Sequence, residues 1–323
     1  MEIGGYRELD LRTGLEYYGG EHPARLNAGR CGIYHALRCL NCVHALLPYY
    51  QCETVREFLL KKGVRVDYYH IGDDLLPEIQ NHAEDTAIVV VNYFGLISQT
   101  RLEQVVRENR NVIIDNTQGF YQANIPGAYS VYSPRKFFGV PDGCYVVGAG
   151  AERFLEEYEQ DYSAETASFL LRRIETGGNA NYAQYQESEH RLETSDIRRM
   201  SKLTRALLDN IDYTSIGKKR QENYEYAARR FAEVNQLSPR LLAREEGQIP
   251  MVYPLVIRRE ELRSILKENH VFVGQWWKYL LESPDITEFE RELSRYLLPI
   301  QIDQRYGAEE IDYTAELIMR ALA

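Results

Sequence analysis

The chain has 323 residues, 44% hydrophobic and 27% charged, enough for one large core and a smaller one. Its net charge of -10 argues against nonspecific nucleic-acid binding, so an anionic ligand would need a locally positive pocket. No apolar run approaches a membrane span, and Met1-Glu2-Ile3-Gly4-Gly5-Tyr6-Arg7 lacks the basic and apolar regions of a signal peptide; a cytoplasmic protein without a membrane partner is expected.

Taken in chain order, residues 31–47 read as the first helix, with Ile33, Leu37, Leu40 and Val43 at helical spacing. Cys31, His35, Cys39 and Cys42 share that spacing. Zinc is conceivable there, because thiolate and imidazole are its ligands. Burial of small residues on the helix's core face is the simpler reading, and no metal is expected. The five cysteines, an odd number, read as free thiols. Residues 55–62 predict a second helix closed by Gly63. Residues 64–69 alternate like a strand, and 87–93 form a β-branched run suited to a strand buried on both faces. A helix over 102–109, a strand over 112–114, and short strands over 129–132 and 143–148 follow. Residues 152–175 predict a charged helix, 177–185 a polar loop, and 196–208 and 218–234 further helices. The C-terminal part predicts strands over 251–257, 271–273 and 297–302 with helices over 259–269 and 308–322. Strand-helix alternation of this kind implies a mainly parallel sheet. The expected class is α/β, with a large domain over 1–210 and a small C-terminal α/β domain over 211–323.

In such sheets ligands gather beyond the C-terminal strand ends. Asp115 stands at one of them, and Lys136 follows in Ser133-Pro134-Arg135-Lys136. A strand-end Asp is often only a turn residue, and a turn Lys is usually a solvated charge. Together, in this order and spacing, they meet the needs of pyridoxal phosphate. The lysine amine can form a Schiff base with its aldehyde, and the aspartate can keep its ring nitrogen protonated. Arg135 and the aromatic pair Phe137-Phe138 are candidates for making that amine nucleophilic. Asn27-Ala28-Gly29-Arg30-Cys31-Gly32 opens the first helix. The amides of Gly29, Arg30 and Cys31 form a candidate phosphate site, with the Arg30 side chain as added charge. Ser133 is a candidate for the same phosphate, Gln118 for the ring's phenolic oxygen, and Tyr50 for stacking on the ring, with core packing as the alternative for Tyr50.

With these segments in order, the chain resembles the DegT/StrS family of nucleotide-sugar aminotransferases, which have the pyridoxal-phosphate fold type I. Asn27 to Ile33 is similar to the family's Asn-Ser-Gly-Thr-Ala-Ala-Leu. Asp115-Asn116-Thr117-Gln118 is similar to its Asp-x-Ala-Gln/His, and Asn92-Tyr93-Phe94-Gly95 to its His-x-Phe-Gly. Ser133 to Lys136 with Asp142-Gly143 resembles its lysine segment, and Leu298-Pro299 through Arg305-Tyr306 its last strand exit. Departures are Arg30 in place of the loop Thr, the short Ala45-Leu46-Leu47-Pro48, and Cys144 in place of a second glycine. The segment before Ile197-Arg198-Arg199-Met200 also reads differently. The resemblance implies transfer of an amino group from an amino acid, with glutamate as donor, to a keto nucleotide sugar. It also implies a homodimer, for which 177–185 is the candidate segment reaching across. Arg198 and Arg199 are candidates for the sugar's diphosphate, with ion pairs to Asp196 and Glu193 as the alternative. Another fold-type-I enzyme, such as a transaminase of amino acids or a lyase, and a non-catalytic homologue stay open.

Overall fold

Near-continuous Val/Ile runs cannot face water, so their strands must be covered on both sides. The computed structural model of the protein shows how that cover is arranged, and it describes residues 3, 5–12, 14–79 and 82–323. Met1, Glu2 and Gly4, on which the export reading rests, lie outside the described residues.

The first half of the chain alternates strand and helix: β1 (Ala24–Leu26), α1 (Gly29–Leu40), β2 (His44–Pro48), α2 (Glu53–Lys61), β3 (Arg65–Ile71), β4 (Pro77–Glu78), β5 (Thr86–Val91), α3 (Gln99–Glu108), β6 (Val112–Asn116), β7 (Tyr129–Tyr132) and β8 (Cys144–Val147). These strands form one sheet in the order β1-β8-β7-β6-β5-β2-β3-β4. The five in the middle, β7-β6-β5-β2-β3, run parallel, and β1, β8 and β4 add antiparallel. Helices α4 (Ser168–Thr176), α5 (Tyr182–Thr194), α6 (Lys202–Leu208), α7 (Tyr213–Phe231) and α8 (Pro239–Leu242) follow. A two-stranded antiparallel sheet pairs β9 (Val252–Val256) with β10 (Leu297–Gln301), accompanied by α9 (Leu262–Glu268), α10 (Glu288–Tyr296) and α11 (Ala308–Leu322).

The period-2 alternation of strands sorts the core. Ala87, Val89, Ile113 and Val131 pack beneath Ile33, Ala36 and Leu37 of α1. Ile88, Val90, Val112 and Ile114 face the other way, into one cluster with Phe231 of α7 and Ile311 and Ile318 of α11. Helix α1 lies very close to the sheet. A Cβ at Gly32 would sit 2.5 Å from Cys144 Sγ and 2.8 Å from a Val131 methyl. All five cysteines are free; Cys39, Cys42 and Cys144 are buried in this helix–sheet core, and Cys31 is buried beside Ala28, Phe58 and Leu192.

Several predicted elements need correction. The helix from residue 31 stops at Leu40, because Asn41 turns left-handed at φ 57° and its N–H caps the Leu37 and Arg38 carbonyls. Residues 44–48 are therefore a strand. Most of 152–167 is irregular: Phe154 is at φ 65°, and the main chain of 159–161 bonds to Arg199. The polar segment 177–185 is a 3-10 turn (Asn179–Asn181) that runs into α5. Residues 196–201 lie extended along β1, held by Asn27 N–H to Arg198 O and Met200 N–H to Arg25 O at 3.0 Å each, so the helix begins only at Lys202. Residues 271–273 find no strand partner among the described residues.

The tight seat of α1 generates a test. Gly32→Ala should destabilise the protein by about 1–3 kcal/mol, read as a lower urea midpoint with unchanged slope, because the neighbours are strand residues that cannot move aside.

Candidate active site

Strand β6 ends at Asn116, and Asp115 just before it is 4% exposed. Its carboxylate is aimed by two donors. The Thr117 N–H bonds Oδ1 at 3.0 Å, and Gln51 Nε2 lies a long 3.4 Å from Oδ2. Gln51 comes from the loop after β2, which reaches Asp115 because β2 and β6 flank β5. Gln118 is also buried. Its Oε1 accepts the Phe94 N–H at 2.8 Å, which leaves the amide NH2 end without a bond among the described residues.

Lys136 closes the 3-10 turn Pro134–Lys136 after β7 and is exposed. Its Nζ donates to Thr117 Oγ1 at 3.3 Å. Behind it, Phe137 and Phe138 are buried, and Phe137's carbonyl accepts from Gln304 Nε2 at 2.9 Å and from Arg220 at 3.4 Å. Arg220 is fully buried on α7 with its guanidinium 4.6 Å from the Phe137 ring centre. Burial pulls its pKa down to about 10 despite nearby Asp303. Helix α7 and the exit of β10 thus fix the turn that carries Lys136. Arg135 does not act as a free cationic neighbour, because it is ion-paired with Glu189 of α5. Ser133 is buried at the start of the turn, and its hydroxyl caps no backbone group of it.

The third component is the start of α1. Ala28 occupies the N-cap without a side-chain bond, and Gly32 is the first residue whose N–H is satisfied, by Ala28 O at 3.0 Å. The N–H groups of Gly29, Arg30 and Cys31 are left for a ligand. A Cβ at Gly29 would lie 2.9 Å from Thr117 Cγ2, so this end of the helix is in contact with Thr117. Thr117 therefore touches the carboxylate through its N–H, the lysine through its hydroxyl and the helix start through its methyl.

Two expectations fail here. The Arg30 guanidinium is turned away from the α1 amides. It is buried, donates to the Leu192 and Ser195 carbonyls at the end of α5, and lies 5.4 Å from the Phe58 ring centre. Carbonyls at a helix end attract a cation as a phosphate would. Tyr50 is core packing and offers no free stacking face. It is fully buried, edge-on to Trp277 at 4.3 Å and beside Tyr93, whose hydroxyl bonds the Tyr50 carbonyl at 2.6 Å. Cys31 contributes only its backbone, since burial pushes its thiol up to about 12. Arg198 pairs with Glu159 and Asp161, and Arg199 with Glu156. Asp196, the partner expected for one of them, pairs with Lys62. His35 places Nε2 2.7 Å from Ala151 O and Nδ1 3.0 Å from the Tyr158 hydroxyl.

Thr117, Gln51 and Arg220 were not singled out by sequence. Only Thr117 carried a signal, as the residue standing where the resembled motif has alanine. Taken together, the site offers an accessible amine, an oriented buried carboxylate and three free amides at a helix start. That set can hold a ligand with an anionic group at one end and a protonated ring nitrogen at another. The Arg30 assignment predicts that Arg30→Ala leaves the Ser195 carbonyl without its donor, while Leu192 O keeps the Ser195 N–H and hydroxyl, and costs about 1–3 kcal/mol in thermal or urea unfolding. Affinity for a phosphate-bearing cofactor should change by less than about threefold, measured by equilibrium dialysis, since the lost charge faces α5.

No family model matches the sequence, and no curated protein matches it. Solved structures do. The sugar aminotransferase CalS13 from Micromonospora echinospora is 16% identical, with a TM-score of 0.64 over 92% of this chain and 87% of that one. A DegT DnrJ EryC1 StrS aminotransferase from Brucella abortus is 13% identical, with a TM-score of 0.61 over 93% and 85%. NtdA from Bacillus subtilis, solved with bound cofactor PMP, is 13% identical, with a TM-score of 0.62 over 92% and 72%. The chain has the α/β fold of the fold-type-I, pyridoxal-phosphate-dependent aminotransferases.

Proposed function

We propose that the chain is a pyridoxal-phosphate-dependent aminotransferase that moves an amino group from an amino acid, glutamate as donor, to a keto sugar carried on a nucleotide. The observation that carries this reading is the junction at Thr117, where Asp115, Lys136 and the start of α1 meet. The residues suit the cofactor: three unpartnered amides for its phosphate, a carboxylate oxygen held by only a long bond, and an exposed amine. When bound, pyridoxal phosphate supplies an aldehyde for the amine and a protonated ring that takes up an electron pair.

The chain's own groups do the rest. Gly29, Arg30 and Cys31 donate their N–H groups to the phosphate, and Ser133 adds its hydroxyl. Asp115 holds a proton on the ring nitrogen, and the Gln118 NH2 donates to the phenolic oxygen. Lys136 Nζ would serve as the base that lifts the proton from the donor's α-carbon and as the acid that returns one to the acceptor carbon in the reverse half. Residues 1–210 act as the cofactor-binding unit and 211–323 as the smaller one. One observation favours a second acceptor class: Arg198 and Arg199 are already paired with acids, which leaves a simple α-keto acid as the alternative to a diphosphate-linked sugar.

The working unit in this reading is a homodimer. Helix α4 buries none of its residues, and Leu171 and Ile174 are 64% and 83% exposed beside exposed Tyr182 and Tyr185. A second copy covering this hairpin removes that apolar surface from water.

Two experiments test the proposal. Incubation with pyridoxal phosphate should turn the protein yellow, and borohydride should fix a pyridoxyl mass on the Lys136 peptide. Asp115→Asn should keep that label and lose about 10²–10³ in turnover, in line with the removal of one charge-stabilising group. A colourless, unlabelled wild type overturns the assignment. In the second, an enzyme loaded with glutamate is offered keto nucleotide sugars and α-keto acids; discharge by the keto acids alone selects the second acceptor class. For the dimer, light scattering at micromolar concentration should give twice the chain mass, and Leu171→Asp with Ile174→Asp should give the monomer.

A further inference from the structure

Trp276 and Trp277 are the chain's two tryptophans, adjacent in the connection between α9 and α10. Both are half-buried. Trp276 stacks on Phe94 at 5.6 Å and 21°, and Trp277 meets Tyr50 edge-on at 4.3 Å. The two indoles lie 5.8 Å apart and tilted by 38°, which makes a shallow V of aromatic surface.

This V is anchored to the loops that serve the candidate site. Phe94 gives its N–H to Gln118, and the residue after Tyr50 is Gln51, which points at Asp115. The Tyr279 hydroxyl, two residues beyond Trp277, donates to Gln51 O at 2.7 Å. The tryptophans are therefore one contact layer from the residues that orient the carboxylate and the amide.

The backbone is also unusual. Phe94 sits at φ 61° and Trp277 at φ 53°, left-handed conformations that large side chains avoid. Trp277 is pinned there, its carbonyl accepting from the Leu280 N–H at 3.0 Å and from the Ser294 hydroxyl at 3.3 Å. Two strained aromatics packed into one patch, with indole surface left open to solvent, are more than a core requires. Strain of this kind collects where a ligand is clamped.

We propose that Trp276 and Trp277 form the platform on which the acceptor's hexose ring lies, and so help to select a sugar over a small keto acid. This rests on the aminotransferase reading above. A pyranose offers a face of C–H groups to an indole face and hydroxyls at its rim, and an indole supplies both an apolar face and one N–H donor. Among the described residues, no Lys or Arg is stacked over either indole ring.

Because both tryptophans stand here, intrinsic fluorescence reports this patch directly. The test titrates the protein, with and without cofactor, with UDP-glucose and dTDP-glucose as unreactive stand-ins, and with UDP and dTDP alone. The sugar nucleotides should change the emission saturably. Trp276→Ala and Trp277→Ala should each weaken them about tenfold in equilibrium dialysis, while Trp276→Phe and Trp277→Phe restore most of the affinity. Borohydride labelling of Lys136 should be the same in all four variants. Unchanged sugar-nucleotide affinity in the alanine variants overturns the platform. So does an equal loss for UDP and dTDP alone, which would assign the stack to the base. Failure of Lys136 labelling in the wild type sinks the aminotransferase reading only, since the cofactor-free titration still decides the platform.

Discussion

The close seat of α1 on the sheet is the constraint on which the rest of the site depends. It is possible because positions 29 and 32 carry no side chain: Gly32 admits Cys144 and Val131, and Gly29 admits Thr117. The same helix start must also leave its first amides free, and Ala28 at the N-cap has no side chain that could satisfy them. Burial of Ile33, Ala36 and Leu37 beneath the helix supplies the apolar energy that holds an uncapped end in place. Packing on one face thus maintains unsatisfied polar groups on another.

The electrostatics follow an economy suited to an acidic protein. Arginines near the site are matched by carboxylates or carbonyls: Arg135 by Glu189, Arg198 by Glu159 and Asp161, Arg30 by the end of α5. Positive potential for an anion comes from oriented N–H dipoles, which need no counter-ion and little reorganisation. Arg220 shows the cost of the alternative: a fully buried guanidinium donates to two carbonyls and lies on an aromatic face, with Asp303 nearby, and its Nε finds no partner among the described residues.

Much of this was legible in the sequence. Strand runs at 87–93 and 112–114, the strand-end Asp115, the Lys136 turn and the C-terminal helix over 308–322 all follow from period and punctuation. What failed did so for nonlocal reasons. Residues 44–48 continue an apolar helical pattern, and only a left-handed Asn41 separates them from α1. Arg30 was assigned by proximity along the chain, but its long side chain reaches Leu192, a contact that no local pattern encodes. Tyr50 was open between stacking on a ring and core packing, and Trp277, more than two hundred residues later, covers it and decides for packing. Gln51 meets Asp115 through strand order, and strand order is not written in any single segment.

The distribution of thiols has a consequence of its own. Cys144 lies beneath Gly32 on β8, fully buried by the contact that seats the helix start. It cannot be reached by a reagent while the helix is down. Its modification is therefore gated by the opening of that one contact, and the chain carries a chemical clock for how often its anion cradle comes apart. A ligand that binds the cradle must slow that clock in proportion to its occupancy, whatever reaction the site performs afterwards.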